Sequence, residues 1–191
     1  MGGWHGEQKQ MDNSRFYDFD ERLRWSEGYL TQGVSHILKN RIPACVGIEK
    51  ANELDDRNGT DYWALRDNLP PLSIDVKVRD TDFKAKFGQD DLALETWSVI
   101  YTKPGWTRDV TKRTDFILWY WQDTGRFFLV SFPILLQVFL RYWERWQKDY
   151  KTAKQSSATW KSECVFVPRK IVIEKMNSWQ TGISKQQAPN H

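Results

Sequence analysis

The stretch Ser73-Ile74-Asp75-Val76-Lys77-Val78-Arg79 decides the fold. Apolar and polar residues alternate along it, and successive side chains of a strand point to opposite faces, so this period predicts a β-strand. The apolar side chains share one face, while Asp75 and Lys77 project side by side from the other. Such a pattern usually means a solvated strand face with a cross-strand ion pair. The segment before it favours a different interpretation.

A second carboxylate stands at the start of the preceding apolar run, Gly59-Thr60-Asp61-Tyr62-Trp63-Ala64. A short segment with two prolines separates the two runs and favours a turn. We therefore predict a hairpin that brings Asp61 close to Asp75. Two neighbouring carboxylates bind Mg²⁺ or Mn²⁺ well, because these cations prefer oxygen ligands. The backbone carbonyl of Val76 is a natural third ligand.

Lys77 would lie beside such a metal ion. There it would orient or deprotonate a water molecule, or offset the charge that develops on a phosphate group. These few groups are what a metal-dependent phosphodiesterase requires. The rest of the sequence offers no comparable chemistry.

The two motifs together resemble the core of the PD-(D/E)XK nuclease superfamily, most closely its archaeal Holliday-junction-resolvase branch and its restriction-endonuclease-like relatives. The family pattern is Gly-x-Asp, two hydrophobic residues and Ala, a hairpin, and then a hydrophobic residue followed by Glu or Asp, Val and Lys. The resemblance implies that Asp61 and Asp75 are metal ligands and that Lys77 is the catalytic lysine. The chain departs from the pattern by lacking a proline before Asp61 and by having Asp75 where Glu is commoner.

The family also places a glutamate on its first helix, beside the metal. Apolar residues recur at helical spacing from Asp20 to Asn40, and Glu27 falls inside that apolar stripe. A carboxylate on the inward side of a helix is costly unless it is paired or bound to a metal. Glu27 is therefore either an auxiliary catalytic acid or the partner of Arg24 in an i,i+3 ion pair.

The pattern as a whole predicts an α/β fold with a restriction-endonuclease-like core, in which a helix precedes a mixed central β-sheet flanked by further helices. The length of 191 residues predicts one domain. We expect a disordered N-terminus over 1–15, a nuclease-like domain over 16–180 and a disordered tail over 181–191. Further strands are predicted at 44–50, 92–101, 114–122, 127–131, 163–168 and 171–174, with a helix after residue 131.

Three further features lie near the motifs in sequence. Glu95, on a predicted strand, either reaches the site or pairs with a nearby cation. Trp106, on a loop rich in Gly and Pro, either stacks on a nucleic-acid base or packs in the core. The acidic segment 52–59 is either a cation site or a turn with solvated acids.

The charge of the chain permits nucleic-acid binding without requiring it. There are 28 Lys and Arg residues against 25 Asp and Glu residues, a formal charge of +3. A surface for DNA would therefore be local, as a groove of phosphate contacts, and otherwise these cations only keep the protein soluble. The basic residues that flank the motifs are Arg79, Lys84, Lys86, Lys103, Arg108, Lys112 and Arg113.

Several classes of function are disfavoured by the sequence. The two cysteines and three histidines form no CxxC, HExxH or His/Cys cluster, which argues against a zinc site and a hydrolase triad. Two cysteines far apart, with no signal peptide, are typical of a reducing cytoplasm. The apolar run 127–140 is short and broken by Pro133, so we expect no membrane association.

We therefore expect a Mg²⁺- or Mn²⁺-dependent nuclease that hydrolyses phosphodiester bonds of DNA, or else of RNA. Members of the family that cut duplexes are often dimers, so a homodimer is an option. Two alternatives stay open: a non-catalytic nucleic-acid-binding or inhibitory protein on the same fold, and an aromatic-rich protein-interaction module. A phage or mobile-element role fits each of them.

Overall fold

A computed structural model describes residues 33–156 and 161–187 of the chain. These ranges contain five helices and nine strands. The helices are α1 (Gly33–Arg41), α2 (Glu53–Arg57), α3 (Phe83–Phe87), α4 (Phe132–Asp149) and α5 (Arg169–Gln187). The strands are β1 (Cys45–Lys50), β2 (Tyr62–Arg66), β3 (Leu69–Arg79), β4 (Asp91–Val99), β5 (Lys103–Pro104), β6 (Phe116–Trp121), β7 (Phe127–Ser131), β8 (Thr152–Ser156) and β9 (Lys161–Pro168).

The first sheet is mixed and has five strands in the order β1-β2-β3-β6-β7. Strands β1, β2 and β3 form an antiparallel meander, whereas β6 lies parallel to β3 and β7 returns antiparallel to β6. The motif strand β3 is therefore the central strand. The prediction of an α/β fold with a mixed central sheet flanked by helices is confirmed.

A second sheet, with the antiparallel order β5-β4-β9-β8, forms another layer. Its inward residues join α4, α5 and one face of β6 in a large apolar core that includes Leu94, Trp119, Phe139 and Val165. The opposite face of the first sheet packs against α1 in a smaller core that includes Leu38, Ile74 and Val76. The first sheet is thus covered on both faces.

The polar face of β3 points into the interior of the molecule. In the parallel pairing, Asp75 lies opposite Ile117 and Lys77 lies opposite Trp119. Ile117 and Trp119 belong to the large core, so Asp75 and Lys77 face the layer formed by the second sheet and α4. The Asp-x-Lys pattern usually indicates a solvated strand face. That interpretation is excluded here because Asp75 is only 1% exposed.

The two prolines do not form the predicted turn. The hairpin turns at Asp67 and Asn68, between the paired residues Arg66 and Leu69, and Asn68 has the positive φ of 52° that suits a tight hairpin. The prolines lie in the exposed first part of β3. That part precedes the pairing with β6, which begins at Ile74, so no partner on that side needs their missing N–H groups.

The C-terminal segment differs most from the sequence prediction. Residues 171–174, predicted as a strand, lie in α5, and the prediction was wrong because it followed the run Ile171-Val172-Ile173 rather than the longer helical spacing. Val172 and Met176, four residues apart, are the buried positions of this helix. Helix α5 also continues to Gln187, within the tail that we predicted to be disordered.

Other predictions are met only in part. Of the helix expected from Asp20 to Asn40, the described residues from Gly33 onward are helical. Glu27 and the expected disordered N-terminus lie outside the described residues. The acidic segment contains α2, which is capped by Asn52 accepting from the Asp55 N–H. No helix within 33–156 and 161–187 combines the length and apolar character that a membrane span requires.

Candidate functional site

Asp75 is the centre of a buried charged cluster. Its side chain is 2% exposed, and each carboxylate oxygen meets a lysine: Oδ1 lies 2.6 Å from Lys77 Nζ and Oδ2 lies 2.7 Å from Lys112 Nζ. Burial opposes ionisation of Asp75, but the two ammonium groups outweigh it and hold its pKa below the usual range. Asp75 is therefore an ionised carboxylate inside the protein, compensated by two cations.

Lys112 enters this cluster from the loop that precedes β6. Its side chain is 6% exposed, and Nζ also donates a hydrogen bond of 3.0 Å to the Gly59 carbonyl oxygen. The sequence predicts Lys112 as one of the surface cations, and its pairing with Asp75 was not expected. The contact joins segments far apart in the chain, and the only sequence signal was a glycine and a lysine near the two motifs.

Glycine is required at position 59 for two reasons. Its φ is +90°, and a Cβ atom there would lie 2.1 Å from Lys112 Nζ. The same turn is tied to the lysine loop by side-chain bonds: Thr114 Oγ1 donates to the Gly59 carbonyl, and Thr60 Oγ1 donates to the Arg113 carbonyl at 3.0 Å. The turn before Asp61 therefore holds the Lys112 ammonium group in place.

Asp61 lies beside Asp75, as the hairpin prediction required. Its backbone N–H donates to the Ile74 carbonyl at 2.8 Å, and its Oδ2 accepts from the Val76 N–H at 2.6 Å. Burial, reinforced by the nearby Asp75 carboxylate, raises the pKa of Asp61 to about 7. Val76 thus joins the cluster through its N–H, whereas we expected its carbonyl oxygen to serve as a ligand.

Lys77 is the more accessible of the two lysines, with a side chain 25% exposed. Burial disfavours its charged form, but the carboxylates of Asp75 and Asp61 outweigh burial and raise the pKa of Lys77. Its ammonium group also lies 5.1 Å from the centre of the Trp106 ring. A lysine held as a cation donates hydrogen bonds and offsets negative charge, and it does not serve as a base.

Trp106 packs in the core and is not an exposed wedge. Its ring lies 5.9 Å from that of Trp119 and 6.5 Å from that of Phe132. Glu95 holds this loop in place, because its Oε2 accepts from the Trp106 N–H at 3.0 Å and from Ser98 Oγ at 2.8 Å. The expected pairing of Glu95 with a cation is therefore wrong within the described residues, because its carboxylate binds this loop instead.

A cleft of about 190 Å³ opens beside the cluster. Lys112 and Trp106 form part of its wall, and Arg57 and Lys103 add two further cations. Arg108, expected among the phosphate contacts, is instead stacked between the Trp97 and Trp143 rings, 4.4 Å and 3.8 Å from their centres. The basic surface near the site is therefore smaller than the sequence suggested.

The donor set fits a Mg²⁺ or Mn²⁺ ion that retains several waters. Asp61 and Asp75 are two adjacent carboxylates, and the mutual repulsion that raises the pKa of Asp61 is what a divalent cation would relieve. Within the described residues, no group of three or more His, Cys, Asp or Glu side chains is placed to share a metal ion. A metal ion bound to Asp75 would have to displace one of the two lysine ammonium groups from that carboxylate. Lys77 is the more mobile candidate, because Lys112 is also held by Gly59.

Comparison of the chain with protein-family models, with curated proteins and with solved structures finds no match. The cluster of Asp61, Asp75, Lys77 and Lys112 is therefore the basis on which a function is proposed.

Proposed function

We propose that the protein is a Mg²⁺- or Mn²⁺-dependent nuclease that hydrolyses phosphodiester bonds, with DNA as the expected substrate. The observation that carries the proposal is the position of Asp61 beside the buried Asp75, whose carboxylate pairs with two lysines next to a cleft lined in part by cations. The raised pKa of Asp61, to about 7, supports it, since strongly perturbed pKa values are concentrated at functional sites.

The position of the cluster supports a restriction-endonuclease-like core as part of the same proposal. The resemblance implies a helix before a mixed sheet, with both motifs on neighbouring strands. Here α1 precedes the sheet, and Asp61 and Asp75 stand on either side of the β2–β3 pairing. A cytoplasmic location and a homodimeric state are further expectations from the sequence.

Asp61 and Asp75 would hold the metal ion, which when bound supplies a water of lowered pKa and offsets charge on the phosphoryl oxygens. Asp61 must lose its proton to act as a ligand. Lys112 stays against the Gly59 carbonyl and keeps Asp75 ionised. Lys77, released from Asp75 Oδ1, donates a hydrogen bond to the attacking water or to the phosphate as charge develops there.

One observation favours a non-catalytic alternative. Each oxygen of Asp75 already pairs with a lysine, so the negative charge of this carboxylate is balanced without a metal ion. A nucleic-acid-binding protein in which these residues form only an ion-pair network is therefore the second candidate. The two candidates differ in metal dependence.

The deciding experiment is cleavage of a panel of labelled DNAs and RNAs in Mg²⁺, in Mn²⁺ and in EDTA. We expect metal-dependent cutting by the wild type and a loss of about 100- to 1000-fold in Lys77→Met. Lys39→Met is the matched control, because Lys39 is exposed on α1, which packs on the opposite face of the first sheet. Tight binding in EDTA with no cutting in either metal would favour the non-catalytic alternative. Neither binding nor cutting would favour the protein-interaction module.

A further inference from the structure

A second pocket, of about 280 Å³, lies along the same face of the first sheet as the cluster. Alternate residues Asp75, Lys77 and Arg79 of β3 point to this face, and positions two apart along a strand are separated by about 7 Å. Arg79 lines the pocket, so the pocket begins one such step beyond Lys77. That step is comparable to the distance between successive phosphates of a nucleic-acid strand.

The pocket and the cluster share a wall. Trp119 lines the pocket and lies opposite Lys77 in the β3–β6 pairing. Its ring also contacts the Trp106 ring, which in turn lies beside the Lys77 ammonium group. A molecule in the pocket would therefore sit next to the residues that we propose to carry out cleavage.

The walls of the pocket combine aromatic and charged groups. Phe83 and Phe166 supply apolar aromatic surface, Arg79 and Lys151 supply positive charge, and Asp80 and Asp91 add two carboxylates. Aromatic faces stack on nucleobases whatever their sequence, and neighbouring cations attract the phosphate. This is the chemistry that recognises a nucleotide.

Phe83 is held in place and yet remains accessible. It is 52% exposed and begins helix α3, whose N-cap Asp82 accepts from the Lys84 N–H at 3.0 Å. Arg126 donates two hydrogen bonds to the Asp82 carboxylate, from Nε to Oδ2 at 2.6 Å and from Nη2 to Oδ1 at 2.7 Å. The guanidinium carbon of Arg126 lies over Trp121, 3.7 Å from its ring centre. The start of the helix that carries Phe83 is thus fixed beside the opening by a partly buried ion pair.

We propose that this pocket binds one unpaired nucleotide, with its base stacked against Phe83 and its phosphate towards Arg79 and Lys151. The position of that nucleotide relative to the cleaved bond rests on the proposed function, whereas binding itself does not. A base can enter only when it has left its duplex partner. The substrate would therefore carry at least one unpaired nucleotide next to the cleaved bond.

The test is NMR-detected titration of the protein, in EDTA, with 2′-deoxyadenosine 5′-monophosphate, with thymidine 5′-monophosphate and with 2-deoxyribose 5-phosphate. We expect both nucleotides to bind more tightly than the sugar phosphate. Phe83→Ala should weaken nucleotide binding roughly 5- to 150-fold, the range for loss of one stacked base. Tyr101→Ala is the control, because Tyr101 is an aromatic residue that is 82% exposed and does not line the pocket.

A second variant, Ala93→Trp, fills the pocket from β4 and should abolish nucleotide binding while the spectrum of the fold is retained. The proposal is overturned if the nucleotides bind no better than the sugar phosphate, or if Phe83→Ala and Tyr101→Ala behave alike. Because the titration contains no metal ion, an inactive nuclease would leave this result unchanged. Failure of the pocket and failure of the proposed activity are therefore distinguishable.

Discussion

Lys112 Nζ lies 2.7 Å from Asp75 Oδ2, in a part of the protein where both side chains are almost fully withdrawn from water. The pair joins the central strand of the first sheet to the loop before β6. Removing one partner of a buried ion pair leaves an uncompensated charge, which is far costlier than loss of a surface pair. The stability of the protein should therefore depend more on Lys112 than on any exposed lysine.

The first prediction compares the two lysines of the cluster. Lys112→Met should lower the free energy of unfolding by about 3 kcal/mol, because Asp75 then keeps only one cation in a buried site. Lys77→Met should cost about 1 kcal/mol, because its side chain is partly exposed and water can replace it. Urea-induced unfolding measures both. Equal losses in the two variants would contradict the assignment of Lys112 as the buried partner.

The second prediction concerns Gly59. Gly59→Ala should destabilise the protein beyond the roughly 1–2 kcal/mol that a positive φ costs an L-residue, because its Cβ would strike Lys112 Nζ. Gly125→Ala is the matched control: Gly125 has φ +68° and nothing within 4 Å of the added atom. Thermal melts of both variants isolate the steric part. In a Lys112→Ala background the two glycine substitutions should become equivalent.

The third prediction follows from the pKa of Asp61, raised to about 7. An unfolded aspartate ionises near pH 4, so between about pH 4 and pH 7 the folded protein binds a proton that the unfolded chain has released. The contribution of Asp61 to the free energy of unfolding therefore falls as the pH rises through that window. If Mg²⁺ binds Asp61 as proposed, it competes with the same proton, so its apparent affinity should rise with pH and level off above about 7.

Calorimetric titration of Mg²⁺ at several pH values, with unfolding curves in EDTA, measures these effects. Asp61→Asn should remove both pH dependences, since the amide does not titrate. If the variant kept the wild-type slope between pH 4 and pH 7, another group would be responsible.

The fourth prediction concerns the ion pair of Asp82 and Arg126. Hydrogen bonds from Arg126 outweigh burial and hold the pKa of Asp82 well below its usual range. Its contribution to stability is therefore present above about pH 4 and is lost as the pH falls below that value. Asp82→Asn should cost about 2 kcal/mol at pH 7 and progressively less in acid, because Arg126 loses charged hydrogen bonds but keeps its second partner, Asp90.

Acid unfolding monitored by circular dichroism checks this expectation. Asp56→Asn, a change of an exposed carboxylate on α2, is the control and should have little effect at any pH. A loss at Asp82→Asn that stayed constant down to pH 2 would show that the carboxylate stabilises the fold through its shape and not its charge.

The hairpin and its carboxylates could be predicted because their signals are local. The alternation in β3 and the short spacing between the motifs restrict Asp61 and Asp75 to adjacent strands. The depth of the site could not be predicted in the same way. The site is deep because the second sheet and α4 cover the polar face of β3. The sequence of β3 itself contains no signal that indicates which layer covers it.

Lys112 illustrates the same limit. Its sequence neighbours are polar and indicate an ordinary surface loop, and only the fold places its ammonium group against Gly59 and Asp75. The error at 171–174 has a different origin. Three β-branched residues in a row favour a strand locally, but burial of Val172 and Met176 on one helix face outweighs that preference.

The route of the chain between the two central strands has a consequence for how the protein folds. Strands β3 and β6 are neighbours, yet the chain between them contributes β4 and β5 to the other sheet. Strand β4 in turn pairs with β9, almost at the end of the described chain. Neither sheet is therefore a separable piece. The pairings of β3 with β6 and of β4 with β9 close long loops, which predicts slow, all-or-none folding in which a nascent chain lacking β9 cannot yet complete the layer above Asp75.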